Sequence, residues 1–330
     1  MPWTSRELYK ILNGLLVVYK PPNYTMEKFA KNVQYFLSSG FNSLKTENER
    51  IITKVVRESN ETKVVIVPDL LSLPKVTGPH FYPTDFEVYA PNPLSTFSSG
   101  VQVFGIGPIG LALSGKLFEE NCFVSVYRIT CMMGRSTYTG TPDSVTVYRT
   151  GWKGARKNKL EFILQNRLQH FLTFSYVAAG ISPNSQGAYD AIASSGGLIR
   201  PKAISSEDRD NCDPVRKQSP IVYGLNCVEF EPPFFTIEMT VINESFDFIV
   251  DFIKDIGNRL KTATVLTKCR RIRHGRFTAD FALLLKDLKY FDGDVIADHL
   301  MASNEFHSFE SLQCDQNVLL IKNDYFKRVL

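Results

Sequence analysis

Short apolar runs broken by turn residues alternate with stretches in which apolar residues return every three or four positions. They divide the chain into strands and helices in no regular order. Leu15 to Tyr19 is the first run, stopped by Pro21-Pro22, and predicts a buried strand followed by a rigid turn. Thr25 stands where an N-cap belongs, ahead of Met26, Phe29, Val33, Phe36 and Leu37 at helical spacing up to Gly40. From Phe41 to Glu61 the residues turn polar and charged, so residues 40–63 are expected to be a mobile insertion before a strand at Val64 to Val67.

A second strand is expected at Val101 to Phe104, followed by Gly105, Gly107 and Gly110 and a helix from Leu111 to Glu120. Phe123 to Met133 and Val145 to Tyr148 read as paired strands around the turn-rich Gly134 to Pro142. A helix follows with Leu160, Ile163, Leu164, Leu168 and Phe171 inward, its start crowded by Lys153, Arg156, Lys157 and Lys159. Ser185 to Ser195 reads as a capped helix with Tyr189 half-buried, and Ala203 to Gln218 as a loop. Ile221 to Phe230 and Phe234 to Ile242 read as a hairpin about Pro232-Pro233, and Ser245 caps a helix with Phe246, Ile249, Phe252, Ile253, Ile256 and Leu260 on one face. Strands and helices in this order indicate α+β rather than βαβ repetition.

At 330 residues and 44% apolar, the chain has ample material for a core. Lys plus Arg exceed Asp plus Glu by 38 to 34, a balance that permits an RNA partner without requiring one. The densest basic run is Arg270, Arg271, Arg273, His274 and Arg276, after the Ser245 helix, a composition suited to phosphate contact. Six dispersed cysteines with no CxxC and no histidine at ligand spacing argue against zinc and against a disulfide framework, so no metal is expected and a reducing compartment is the default. No apolar run reaches the roughly 20 residues of a membrane span. The start of the chain shows neither a secretory nor a clear mitochondrial leader, so an intracellular protein is expected.

The run Val101 to Leu111, with its three glycines, fits a dinucleotide-binding fingerprint. Two features oppose that reading. Arg128 lies near where a ribose-binding acid is expected, which leaves only NADP, and the chain after Cys122 gives a strand pair rather than a strand and helix. A cofactor is therefore not expected, and the glycines read mainly as a turn.

A different set of blocks carries more. Leu12 to Thr25, with Gly14, an apolar strand and Lys20-Pro21-Pro22, resembles the opening motif of the TruB-type pseudouridine synthases. Asn92 to Gly110 resembles the family's central active-site motif. Val126-Tyr127 with Met133-Gly134-Arg135-Ser136-Thr137 resembles its tyrosine strand and following turn. Tyr176, Ala188-Tyr189-Asp190 and Leu198-Ile199-Arg200-Pro201 resemble the next block, and Asp255-Ile256-Gly257 with Arg270 to Phe277 the last. These blocks occur in the family's order across about residues 12 to 285 and are most similar to its animal mitochondrial branch.

The resemblance implies a pseudouridine synthase fold over residues 1–285: a mixed, mostly antiparallel sheet flanked by helices, with an RNA-binding cleft. Residues 286–330 are then an extension too short for a complete PUA domain. It implies tRNA, mitochondrial mRNA or rRNA as partner, with mitochondrial ribosome assembly as a setting, and a mitochondrial location. In the family's chemistry a uridine is flipped from its stack, an Asp attacks the nucleoside, an Arg holds that carboxylate ionised, and a Tyr stacks on the base.

Carried onto this chain, the Tyr is Tyr127, but the Asp position after Leu94 is Ser95, and the Arg position counted back from Asp255-Ile256-Gly257 is Val250. No acid lies between Pro91 and Phe118. Asp85 is ten residues from Ser95, up to ~33 Å along extended chain. Serine needs an adjacent base, and no histidine lies within twelve residues. The expectation is an RNA-binding protein with isomerase activity lost and with Lys20, Arg200, Arg270, Arg271, Arg273 and Arg276 contacting RNA. An active uridine isomerase, an NADP-binding protein and a protein-binding scaffold are the alternatives.

Overall fold

The computed structural model describes residues 5–44, 51–58, 61–68, 76, 78–119, 124–178, 182, 184–195, 220–290 and 292–304. The stretch expected as a loop at 203–218 and Arg200 lie outside them. Helix α1 (Ser5–Ile11) leads into β1 (Gly14–Lys20), which is buried at every position but Tyr19. Thr25 caps α2 (Met26–Ser43), accepting from the Lys28 N–H at 3.4 Å, and Phe29, Val33, Leu37 and Phe41 form its buried stripe. Residues 51–68, expected to lie mostly in a mobile insertion, form an antiparallel hairpin of β2 (Ile51–Glu58) and β3 (Glu61–Pro68). The β-branched Ile51, Ile52, Val55 and Val56 favour a strand despite the charges between them.

The chain continues through β4 (Val88–Tyr89), β5 (Ser99–Ile106), α3 (Gly107–Glu119), β6 (Ser125–Met133), β7 (Arg135–Thr137), β8 (Thr146–Arg149), α4 (Lys157–Ala178) and α5 (Gln186–Ser195). It closes with β9 (Ile221–Glu231), β10 (Phe234–Ile242), α6 (Phe246–Leu260), β11 (Thr264–His274), β12 (Phe277–Thr278), β13 (Leu283–Leu284), α7 (Leu285–Lys289) and α8 (Gly293–Asn304). The main sheet has the order β13-β1-β5-β11-β6-β10-β9, with β4 on β5 and β12 on β11. Only β1–β13 and β5–β11 pair in parallel. This is the expected mixed, mostly antiparallel sheet flanked by helices. No helix among the described residues is long and apolar enough to cross a membrane.

Three local expectations change. Val145 to Tyr148 pairs with β7 in a separate two-stranded sheet, because β6 already has β10 and β11 on its two sides. The basic run after α6, read as one patch suited to phosphate contact, lies mostly on the end of β11, so the successive Arg270 and Arg271 face opposite sides of the sheet. Tyr189 is 68% exposed rather than half-buried, since it shares an exposed face of α5 with Gln186 and Asp190.

The glycine run does not form a dinucleotide cradle. β5 and β6 run antiparallel through the intervening β11, whereas that cradle needs parallel neighbours. A Cβ at Gly105 would collide with the Gly110 carbonyl and the Ser114 hydroxyl, and one at Gly110 with the Gly14 carbonyl. The glycines therefore bring α3 against β5 and β1, and the Asn13 Oδ1 accepts from the Ile109 N–H at 3.0 Å in the helix's first turn.

Two large apolar clusters flank the sheet. One joins β6 and β10 to α4 and α6. The other joins β1 and β5 to α1, α2, α7 and α8. The stretch after residue 285, read as an extension, thus packs into the same core through residue 304. β13 covers only Val18 and Tyr19 of β1, leaving an edge that α8 closes with side chains. The Val17 N–H donates to His299 Nε2 at 3.3 Å, and the Ser303 hydroxyl donates to the Leu15 carbonyl at 2.6 Å. Placed four apart, His299 and Ser303 share one helix face.

Burial pulls the His299 imidazole down to about 4. Between the ordinary histidine value and that value the unfolded chain binds a proton the folded chain does not, so stability falls as pH drops from about 6.5 to about 4. Urea denaturation should show the wild type losing stability relative to His299→Gln across this window, by up to about 1.4 kcal/mol per pH unit. Parallel pH profiles would refute the assignment.

Candidate functional site

The loop of residues 92–98, between β4 and β5, is held by three buried polar side chains from three strands. Lys20, the last residue of β1, is fully buried. Its Nζ donates to the carbonyls of Pro21, Ser95, Thr96 and Ser98 at 3.3, 3.0, 3.3 and 2.8 Å. Gln102, in the middle of β5, accepts the Leu94 N–H at 3.1 Å and donates to the Asn92 carbonyl at 3.4 Å. Arg271 of β11 is 0% exposed. Its Nε donates to the Val101 carbonyl at 2.8 Å, both Nη atoms to the Asn92 carbonyl, and Nη2 to Gln102 Oε1 at 3.1 Å.

Gly100 makes this possible. It has a φ of +121°, and a Cβ there would collide with the Arg271 backbone, so only glycine lets β5 lie this close to β11.

One carboxylate joins the cluster. Glu244, between β10 and α6, has a side chain only 2% exposed and lies 3.9 Å from Arg271. Its Oε1 accepts from the Tyr127 hydroxyl at 2.8 Å and from Asn92 Nδ2 at 3.3 Å. Burial, then the Glu244 charge, holds the Tyr127 phenol well above its usual range. Lys20 is drawn down to about 8 by burial and by the Arg271 charge, against the pull of its four carbonyl acceptors, which favour the ammonium. Of the two buried cations, Arg271 therefore faces the carboxylate, while Lys20 is held on main-chain carbonyls.

The residues named from sequence divide. Tyr127 and Val250, like Leu94 next to Ser95, belong to the large apolar core between the sheet and α4 and α6, with Tyr127 at 4% and Val250 at 5% exposure. Ser95 is half-buried, and its Oγ lies 2.8 Å from Ser98 Oγ and accepts the Ser98 N–H at 3.2 Å. Val250 supports the loop at Gly140, whose backbone leaves no room for a Cβ beside it. Asp85 is elsewhere, its carboxylate accepting from the Tyr82 N–H.

Of the basic residues, Lys20 and Arg271 are interior braces with no surface to offer RNA. Arg270 is exposed and stacks over the Tyr19 ring at 5.3 Å, while Arg273 and Arg276 are half-buried, with Arg273 Nε on the Gly275 carbonyl at 2.7 Å. Reading by sequence missed Glu244, Gln102 and the interior role of Arg271. The available signal was a polar Gln102 inside an otherwise apolar strand.

The chain is 30% identical over 289 residues to the mitochondrial pseudouridylate synthase TRUB2 of Xenopus tropicalis, covering 84% of this chain and 82% of that protein. This chain belongs to the TruB-type pseudouridine synthase family. Human TRUB2 is 28% identical over 284 residues, covering 83% of this chain and 79% of its own. No family model matches. Among solved structures, the archaeal box H/ACA sRNP Nop10–Cbf5 complex aligns with 92% of this chain and 58% of its own at 12% identity and a TM-score of 0.42, too distant to carry an argument.

In this member of the TruB-type family the braced loop carries Ser95 at its centre. If the brace rests on Arg271, Arg271→Met should cost about 3–5 kcal/mol, because Glu244 loses its cation and buried acceptors lose their donor. Arg270→Ala, one residue away on the exposed face, should cost under about 1 kcal/mol. Urea denaturation compares them; equal losses would reject the assignment.

Proposed function

We propose that this chain binds RNA as a member of the pseudouridine synthase family without isomerising uridine, in mitochondrial RNA metabolism or ribosome assembly. The observation that carries the reading is Ser95. Its hydroxyl has a serine and a backbone N–H as partners, and neither can take its proton. The position assigned to the arginine is an apolar residue buried in the core. The Tyr127 ring, assigned to base stacking, is covered and its hydroxyl is committed to Glu244. The mitochondrial setting is supported by the names of the relatives, and the RNA partner by the family.

One observation favours a second reading, an active isomerase. Among the described residues, the buried Glu244 Oε2 has no hydrogen-bond partner, and the same carboxylate touches Tyr127. An active enzyme would use Glu244 as the carboxylate in place of an aspartate.

Purified protein incubated with tRNA, mitochondrial mRNA and rRNA, then mapped for pseudouridine, should give no product above background. RNA affinity should fall about tenfold or more as salt rises from about 50 to about 200 mM. Robust turnover would overturn the inactive reading, and turnover abolished by Glu244→Gln would establish the second.

A further inference from the structure

The hairpin of β7 and β8 is unusual for an exposed sheet. Tyr138 and Val145 are paired across it by the Tyr138 N–H on the Val145 carbonyl at 3.1 Å, yet they are 81% and 80% exposed. Val147 and Tyr148 add 60% and 49%. Solvated two-stranded sheets ordinarily carry polar residues on such positions, so these apolar side chains want a partner.

Fraying does not explain the exposure. The Gly134 N–H donates to the Ala263 carbonyl at 2.7 Å, and the Leu266 N–H donates to the Gly140 carbonyl at 2.9 Å. Arg135 Nη2 donates to the carbonyls of Pro142 and Ser144 at 3.0 and 3.3 Å, holding the loop closed. Gly140, with a φ of +78°, sits directly on Val250. The arm is thus pinned at its base and at its tip, where Gly140 is seated on Val250 of α6.

Its charge is one-sided. β8 runs on into Arg149, Lys153, Arg156 and Lys157, all exposed, and Asp143 is the only acid between Arg135 and Leu160. Lys157 is partly balanced by Glu161 at 3.7 Å, and near the tip Lys254 is matched by Asp251 at 3.4 Å. Arg149, Lys153 and Arg156 have no such counter-ion among the described residues. Exposed aromatic rings followed along the chain by unbalanced cations suit a single strand of nucleic acid, whose bases stack on rings and whose phosphates meet the cations. A protein partner for this apolar surface would have to tolerate three uncompensated cations at its rim.

We infer that the β7–β8 hairpin is an arm that grips unpaired RNA, with bases stacked on Tyr138 and Tyr148 and phosphates on Arg149, Lys153 and Arg156. The inference rests on the RNA-binding reading and adds where and how the RNA is held.

The test uses the full chain, a short single-stranded oligoribonucleotide and an RNA duplex of equal length. All five side chains are exposed, so the variants should fold like the wild type, which thermal melting checks. Tyr138→Ser with Tyr148→Ser should weaken single-strand binding by about tenfold or more, with the salt slope unchanged and the duplex affected little. Arg149→Gln, Lys153→Gln and Arg156→Gln together should lower the salt slope by about two. Wild-type binding with both variants unaffected would overturn the arm while leaving the RNA-binding reading in place. Loss in the basic variant alone would overturn the stacking part. No binding by the wild type at low salt would remove the RNA-binding reading itself, and the arm with it.

Discussion

Two cations buried beneath one loop organise the centre of this molecule. Lys20 and Arg271 arrive from β1 and β11, on opposite sides of β5, and take up the carbonyls of residues 92, 95, 96 and 98. A loop at this depth would otherwise bury unpaired acceptors, each costing about 1–3 kcal/mol. The cations in turn are tolerable only because those carbonyls and Glu244 surround them. The loop and the strands beneath it are therefore mutually dependent, and Gly100 is the residue that allows the strand spacing they need.

That arrangement acts on the loop mainly through its main chain. Ser95 contributes a main-chain carbonyl to Lys20, and any residue at that position supplies the same carbonyl. The Lys20 part of the brace is therefore indifferent to the side chain at residue 95, while the Ser95 hydroxyl adds a bond of its own by accepting the Ser98 N–H at 3.2 Å. The Val250 position is likewise satisfied by packing, against the backbone of Gly140. Beneath the loop Arg271 stands with Glu244, a pair held by Tyr127 and Asn92 and buried in the wall.

Much of the architecture was legible in the sequence because periodicity reports burial. β1, α2, β10 and α6 fall where the apolar spacing and the caps Thr25 and Ser245 put them. The errors share a cause: local pattern says nothing of which partner a segment meets. Residues 51–58 are charged enough to read as a loop until β3 pairs with them. The four arginines from 270 to 276 look like one patch as a string, but strand alternation sends Arg270 to solvent and Arg271 to the interior. Glu244 was invisible for a related reason. A lone acid just before a helix cap reads as ordinary turn chemistry, and only the fold brings Tyr127, distant by 117 residues, against it.

The same contrast separates the two aromatic groups near the site. Tyr127 has the position that the family resemblance assigns to base stacking, but it is buried in the core with its hydroxyl on Glu244. Tyr138 and Tyr148 occupy a hairpin whose backbone is pinned at Gly134 and Gly140, and pinning is what keeps their rings in solvent. A ring held out on rigid backbone has already lost much of the freedom that binding would otherwise remove. Contact with a partner therefore favours the hairpin over the closed pocket.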